Sequence, residues 1–231
     1  MHQSRSINAC SAGLFAQIGY FTLRAVRHEA QATTFQIYAN QKCMASKTTI
    51  LIAMGSNLAG NWGEPTDCLV RAHAELNFIF SGMTKLSDHF VTRPVGFVRQ
   101  PKYLNAVVRI QTNITPFALM NVLKDLERRA GRRTGTRWGP RPLDLDIIDH
   151  GHRVNGWYAK YKRLISSRRP EFLILPHPRA HLRSFVLQPL LQVEPNWWHP
   201  VLRMPGRRLL HRLSPAQRRP VTATRRTRKR A

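Results

Sequence analysis

Acidic residues are scarce in this 231-residue sequence, which has 12 Asp and Glu against 37 Lys and Arg and a formal net charge of +25 at pH 7. So basic a chain suggests a nucleic-acid binder, but much of the charge lies at the ends. Eleven Lys or Arg and no acid occur from Arg203 to the C terminus, and such runs are usually solvated. We therefore expect no specific nucleic-acid partner.

Cysteines and long apolar segments are also few. The three cysteines, Cys10, Cys43 and Cys68, form neither a CxxC pair nor an even set, which argues against disulfides or a zinc site and favours a reducing compartment. No uninterrupted apolar stretch reaches the roughly 20 residues of a membrane span. We expect a cytoplasmic protein with no membrane partner. The absence of a GxxxxGKS/T motif excludes a P-loop enzyme.

The chain divides into three parts by composition. Residues 1–47 show no clear periodicity, so we expect an extension that is disordered or precedes the natural start at Met44; a signal peptide is the alternative, but a compact hydrophobic region and a cleavage site are lacking. Residues 48–202 form the predicted domain, interrupted by a basic insertion at 157–170. Residues 203–231 are predicted to be a basic C-terminal tail.

The apolar pattern within the domain predicts a β-α-β-β-α-β order. Thr115 and Pro116 mark the start of the second helix and Gly131 its end. This order is typical of the α+β class, as a ferredoxin-like α/β sandwich with a mostly antiparallel sheet, both helices on one face, and C-terminal additions. The predicted strands cover 49–54, 84–91, 103–112 and 143–148, the helices cover 63–80 and 115–130, and an interrupted helix covers 181–193.

Two aspartates stand out in the stretch RWGPRPLDLDIIDH, residues 137–150. If Leu143, Leu145 and Ile147 face the helices, Asp144 and Asp146 share the opposite face, about 7 Å apart. Carboxylates that close repel each other unless a cation lies between them, and Asp is a poor strand former. Oxygen ligands suit Mg²⁺ rather than zinc, so this pair predicts a magnesium site.

Several arginines surround the aspartates, namely Arg132, Arg133, Arg137 and Arg141. Magnesium together with guanidinium groups indicates a polyanionic substrate, most simply a nucleoside triphosphate. On the predicted strand 103–112, Tyr103 and Asn105 point to the same face as the aspartates, where an aromatic plane beside an amide suits a flat heterocycle. Taken singly, Tyr103 is equally an ordinary strand aromatic and Asn105 a surface residue.

Four blocks occur in the order and approximate spacing of a known family: IAMGSNL, TRPVGF with YLNAVV, RWGPRPLDLDII, and LPHPRAHLRSFVLQPL. Over about 49–200 the chain resembles 6-hydroxymethyl-7,8-dihydropterin pyrophosphokinase, which transfers diphosphate from ATP to a pterin alcohol in folate biosynthesis. The resemblance implies ATP as co-substrate, two Mg²⁺ ions, small-molecule partners only and a monomer or weak dimer. In the implied reaction, the hydroxymethyl oxygen attacks the β-phosphorus and AMP leaves.

The resemblance also implies roles for individual residues. Asp144 and Asp146 look like the metal ligands, and with Arg132 and Arg141 they form the implied catalytic set. The implied pterin-binding residues are Thr92, Val95, Tyr103, Asn105, Trp138 and Phe185. The implied nucleotide-binding residues are Glu127, Arg132, Arg141, Ile147, His177 and Arg183.

The sequence departs from the family pattern at several positions. Arg93 replaces a common proline, Lys124 a glutamine that often contacts ATP, and Pro178 a frequent tyrosine, while the insertion interrupts a region that usually contacts ATP. Two other interpretations stay open from the residues themselves. One is a different magnesium-dependent, nucleotide-using transferase, and the other is a basic RNA-binding module, which should show aromatics on two central strands.

Overall fold

The structure is a computed structural model, and it describes residues 47–94, 100–133, 139–157, 173–214, 217 and 222–224. The predicted extension, apart from Lys47, and the basic insertion, apart from Trp157, lie outside the described residues, as do Val95 and Trp138. No helix within the described ranges is long and apolar enough to cross a membrane.

The described fold contains four α-helices and eight strands. The strands are β1 (Thr48–Ser56), β2 (Thr84–Leu86), β3 (His89–Thr92), β4 (Tyr103–Thr112), β5 (Asp144–His150), β6 (Trp198–His199), β7 (Met204–Pro205) and β8 (Thr222–Thr224). The helices are α1 (Pro65–Ile79), α2 (Pro116–Arg129), α3 (Ser184–Val193) and α4 (Gly206–Arg212), with a 3₁₀ helix at Ala180–Leu182.

The main sheet is antiparallel throughout, in the order β5-β1-β4-β3-β8, with β2 also paired to β4. The protein is therefore of the α+β class. The strand expected at 84–91 is divided into β2 and β3 at Ser87, whose hydroxyl accepts a hydrogen bond from the Val107 N–H at 2.9 Å. Thr115 caps α2 as expected, because its side chain accepts a hydrogen bond from the Ala118 N–H.

The sheet is covered on both faces. Because successive residues of a strand point to opposite sides, Ile50 and Ile52 of β1 face one layer while Leu51 faces the other. The first layer contains α1 and α2, which contact β1 and β5 respectively. The second layer is a cluster around Trp197 that includes Leu51, Val107, Val186, Leu187, Leu190, Leu209 and Leu213. β1 is thus buried on both faces, as its continuous apolar run predicts.

The expected start of the tail at 203 is too early. β7 and α4 lie beyond it, and Leu209 and Leu213 are 5% and 4% exposed within the second core. The basic composition of 203–213 did not indicate a buried helix, because only every third or fourth position of a short amphipathic helix has to be apolar. The helix expected at 181–193 also differs, since α3 continues through Pro189 and a 3₁₀ helix precedes it.

Replacing Leu209 by Ala tests whether α4 belongs to the fold. Removing a buried leucine leaves a cavity, so we expect the free energy of unfolding to fall by about 2–4 kcal/mol. Leu202→Ala is the matched control, since Leu202 is 37% exposed, and its cost should stay within about 0.5 kcal/mol. Urea denaturation measures both values, and equal stability of Leu209→Ala and the wild type would show that α4 does not pack as described.

Candidate active site

A cavity of about 440 Å³ opens at one end of the sheet, where β1 lies between β4 and β5. Gly55 pairs with Asn105 on one side and with Asp144 on the other. A Cβ at position 55 would stand 3.5 Å from the Asn105 Oδ1 and 4.0 Å from the Asp144 Cβ. Glycine therefore leaves open space between these two sides of the cavity. Ten expected site residues line it: Thr92, Tyr103, Asn105, Arg141, Asp144, Asp146, Ile147, His177, Arg183 and Phe185.

One side of the cavity carries an amide, a hydroxyl and an aromatic ring. The Asn105 Nδ2 donates to the Thr92 Oγ1 at 2.8 Å, and Thr92 pairs with Tyr103 across the sheet. The Tyr103 hydroxyl reaches the Gly139 carbonyl at 3.5 Å. Burial raises the pKa of Tyr103, with a further contribution from Asp144, so its hydroxyl stays protonated at neutral pH. This side offers flat apolar surface with directed hydrogen-bonding groups.

The other side is ionic, with Asp144 at its centre. The Asp144 Oδ1 accepts hydrogen bonds from the Nη1 atoms of Arg132 and Arg141, both at 2.7 Å. Burial by itself raises the pKa of Asp144, but the guanidinium groups of Arg141 and Arg132 outweigh it and hold that pKa below its ordinary value. Asp144 is therefore ionised at neutral pH.

Asp146 lies two residues further along β5 and also lines the cavity. No described residue donates a hydrogen bond to its carboxylate or forms an ion pair with it. Among the described residues, no group of three or more His, Cys, Asp or Glu side chains comes together as a metal site. A cation here would take two carboxylates and fill its other positions with water or phosphate oxygens, which is how Mg²⁺ is commonly bound. The oxygen donors of the pair fit that ion.

Glu127 and Arg132 do not line this cavity, although both were expected at the nucleotide. They line a second cavity of about 970 Å³ with Lys124 and Arg141. Glu127 is 1% exposed; its Oε1 accepts from the Leu145 N–H at 2.8 Å, and its carboxylate forms ion pairs with Lys124 and Arg132. Burial raises the pKa of Glu127. In this structure Glu127 joins α2 to β5 and holds Arg132 beside Asp144.

The segment 176–183 closes a further side of the cavity. The His177 N–H donates to the Ile148 carbonyl at 2.8 Å, and its ring Nδ1 accepts from the Arg179 N–H. Burial lowers the pKa of His177, so the ring is neutral at pH 7. The Arg183 guanidinium lies over the Phe185 ring at 5.6 Å. Sequence reasoning missed Gln100 and Arg179, which also line the cavity. Gln100 lies outside the four blocks, whereas Arg179 lies within the fourth block and was given no role there.

Residues 51–195 match the 7,8-dihydro-6-hydroxymethylpterin-pyrophosphokinase (HPPK) family. The chain belongs to this family. It is 31% identical over 157 residues to the 2-amino-4-hydroxy-6-hydroxymethyldihydropteridine pyrophosphokinase of Aquifex aeolicus, covering 68% of this chain and 87% of that protein. The Bacillus subtilis protein of the same name is 34% identical over 144 residues, with 62% and 75% covered.

Larger relatives contain the HPPK region as one part. The mitochondrial folate synthesis bifunctional protein of Arabidopsis thaliana is 36% identical over 172 residues, which is 73% of this chain and 26% of that protein. A solved structure of a triple mutant of the Plasmodium falciparum HPPK-DHPS protein has a TM-score of 0.51 at 16% identity, covering 75% of this chain and 45% of that one. The chain therefore spans about a quarter of the plant relative, and the structural likeness shows the fold alone.

A histidine and tryptophan cluster lies behind the 176–183 segment of this HPPK-family chain. His199 is fully buried, with ring centroids 5.4 Å from His181, 5.2 Å from Trp157 and 5.7 Å from Trp197. Its Nδ1 accepts from the Leu202 N–H, while its Nε2 has no hydrogen-bond partner within the described part of the chain. Burial lowers the pKa of His199 from 6.5 to about 4. The neutral ring is therefore the form compatible with the fold.

The unfolding free energy should consequently depend on pH through His199. Because the folded-state pKa is below the unfolded one, its contribution is complete above pH 6.5 and is lost as pH falls through about 4. We expect His199→Asn, which keeps an acceptor for the Leu202 N–H, to flatten the pH profile of stability between these values. Denaturant titrations at several pH values measure the slope. Parallel profiles for the variant and the wild type would contradict this assignment.

Proposed function

We propose that the protein transfers diphosphate from ATP to the hydroxymethyl group of 6-hydroxymethyl-7,8-dihydropterin, yielding AMP and the pterin diphosphate in folate biosynthesis. The observation that carries the proposal is that a single cavity has an aromatic and amide side facing a side of paired carboxylates and arginines. Family membership and the names of the Aquifex and Bacillus relatives support the same activity. They disfavour an RNA-binding module or an unrelated nucleotide-using transferase.

In this proposal the pterin occupies the side of the cavity formed by Thr92, Tyr103, Asn105 and Phe185. Asn105 is fixed by its bond to Thr92, so its amide meets the heterocycle without the entropic cost of ordering a loose side chain. The ring of Phe185 supplies a stacking surface. Val95 and Trp138 remain predicted members of this set.

The nucleotide occupies the ionic side, with Ile147, His177 and Arg183 around it and Glu127 acting through Arg132. Asp144 and Asp146 would hold the expected two Mg²⁺ ions, which when bound neutralise phosphate charge and align the reacting oxygens. Arg132 and Arg141 are held at the same place by Asp144 and stabilise charge that develops on the transferred phosphates. No described side chain is placed as a general base, so we assign catalysis to alignment and charge stabilisation.

Three finer expectations belong to the same proposal. The sheet order β5-β1-β4-β3 supports a ferredoxin-like arrangement of the βαββαβ core. We propose that the protein acts as a monomer or weak dimer on small molecules. Its cysteine usage supports a cytoplasmic location.

The activity is tested directly by incubating the protein with ATP, MgCl₂ and 6-hydroxymethyl-7,8-dihydropterin. We expect AMP to appear in a one-to-one ratio with pterin diphosphate, because the whole diphosphate moves in one step. Chromatography of the nucleotides measures the ratio, with a reaction lacking pterin as the control. ADP as the product, or AMP release that does not require pterin, would refute the proposal.

The two aspartates should respond differently to replacement by Asn. Asp146→Asn should lower turnover by at least about 100-fold and leave stability unchanged, because no described partner loses a bond. Asp144→Asn should lower turnover and also cost about 1–3 kcal/mol of stability, because Arg132 and Arg141 lose a charged partner. Asp125→Asn, which disturbs only a surface pair with Arg128, is the control for both measurements.

Steady-state rates at saturating Mg²⁺ and urea denaturation of the metal-free proteins provide the two values. Near-native turnover of Asp146→Asn would show that this carboxylate does not hold the metal. Equal stability of the two aspartate variants would show that the arginine pairing of Asp144 is not significant for folding.

A further inference from the structure

Asn57 lies directly after β1, outside the cavity, and has no role in the proposed reaction so far. It is 2% exposed. A buried carboxamide has to satisfy one acceptor and two donor hydrogens within the protein. The partners that it finds here are on two segments that are far apart in sequence.

The first segment is the one that leads into the ionic side of the cavity. The Asn57 Oδ1 accepts from the Arg141 N–H at 2.8 Å, and the Asn57 N–H donates to the Arg141 carbonyl at 3.1 Å. The neighbouring Ser56 hydroxyl donates to the Pro142 carbonyl at 2.6 Å. These bonds hold the backbone of Arg141 three residues before Asp144.

The second segment leads into the aromatic side. The Asn57 Nδ2 donates to the Pro101 carbonyl at 3.2 Å and to the Gln100 Oε1 at 3.1 Å. Pro101 lies two residues before Tyr103, and Gln100 itself lines the cavity. One side chain therefore bonds to both of the chain segments that lead into the site, the one before β4 and the one before β5.

The orientation of this amide follows from its partners. A backbone N–H only donates and a proline carbonyl only accepts, so the oxygen must face Arg141 and the nitrogen must face Pro101. A flipped amide would lose both bonds and leave two buried polar groups unsatisfied. Asn is thus the residue whose two ends match two segments of opposite hydrogen-bonding character.

We propose that Asn57 is a positioning residue that holds the Tyr103 and Arg141 segments in register across the cavity. The inference rests on the proposed function, since the two segments carry the groups assigned to the pterin and to the nucleotide phosphates. In-line transfer requires the attacking oxygen and the phosphorus to be aligned closely, and errors of about 1 Å can cost on the order of 100-fold in rate. Asn57 sets the relative position of the two sides without touching either ligand.

The test compares Asn57→Ala, which removes the side-chain bonds to both segments and leaves only the backbone bond to the Arg141 carbonyl, with Asn57→Asp, which keeps an acceptor for the Arg141 N–H but places a carboxylate against the Pro101 carbonyl. Thr112→Val is the matched control. It removes one buried hydrogen bond, to the Ile114 N–H, at the opposite end of β4 from Tyr103. All proteins are measured at a temperature well below their melting points.

Two readouts separate positioning from simple stabilisation. In Asn57→Ala, turnover at saturating substrates should fall about 10- to 100-fold, while the dissociation constants for pterin alone and for a non-hydrolysable ATP analogue with Mg²⁺ change less than about threefold. Hydrogen exchange of the Arg141 amide should accelerate at least about tenfold, since its acceptor is gone. The Leu145 amide, which Glu127 holds, should exchange as in the wild type.

The conservative variant, Asn57→Asp, separates the effect of the bond to Arg141 from the effect of the bond to Pro101. Asn57→Asp should retain protection of the Arg141 amide and still lose turnover, because the Pro101 side is no longer held. Thr112→Val should lower the melting temperature without changing turnover. Wild-type turnover in either Asn57 variant, or an equal loss of turnover in Thr112→Val, would overturn the proposal.

A wild-type protein that released no AMP would refute the proposed function instead. The exchange measurement would then decide alone whether Asn57 holds the two segments. Unchanged Arg141 exchange in Asn57→Ala would refute the positioning role in that case, and faster exchange would support it.

Discussion

The carboxylate of Asp144, whose side chain is only 26% exposed, has to be compensated by positive charge, and much of the site is arranged around that requirement. Two guanidinium groups share one of its oxygens, and their charge more than offsets the cost of burial in its pKa. Arg132 is in turn held by Glu127, which also accepts from the backbone of β5. The result is a chain of alternating charges that links α2 to β5. It keeps both arginines beside the place where phosphates would bind.

β1 makes this arrangement possible because it is the central strand between β4 and β5. Its register sets Gly55 opposite both Asn105 and Asp144, so the aromatic and ionic sides are brought to one end of the sheet by backbone pairing alone. At the end of β1, Ser56 bonds to the segment before β5, and Asn57, the residue after the strand, bonds to the segments before both β4 and β5. A strand that is buried on both faces is a stable base for such a site, since its displacement would disrupt two cores.

The second core shows where sequence patterns were insufficient. The apolar positions of α3 were visible, but α4 lies in a stretch where basic residues dominate, and only Leu209 and Leu213 reveal its buried side. Sequence reasoning therefore began the tail at 203. The division of 84–91 into β2 and β3 was equally hidden, because it depends on a hydrogen bond from Val107 to Ser87, twenty residues away. Local periodicity carries no information about either contact.

The sequence by itself determined the α+β class, the order of the core elements and the pairing of Asp144 with Asp146 on one strand face, because side-chain alternation is a local property of a strand. It also identified the blocks on which family membership depends. Only the tertiary structure decided that Glu127 lines a second cavity and forms an ion pair with Arg132. It also decided that Asn57 bonds to both of the chain segments that lead into the site. These roles depend on contacts between segments that are distant in sequence. Which groups pair there is determined by the need of buried polar groups for hydrogen-bond partners.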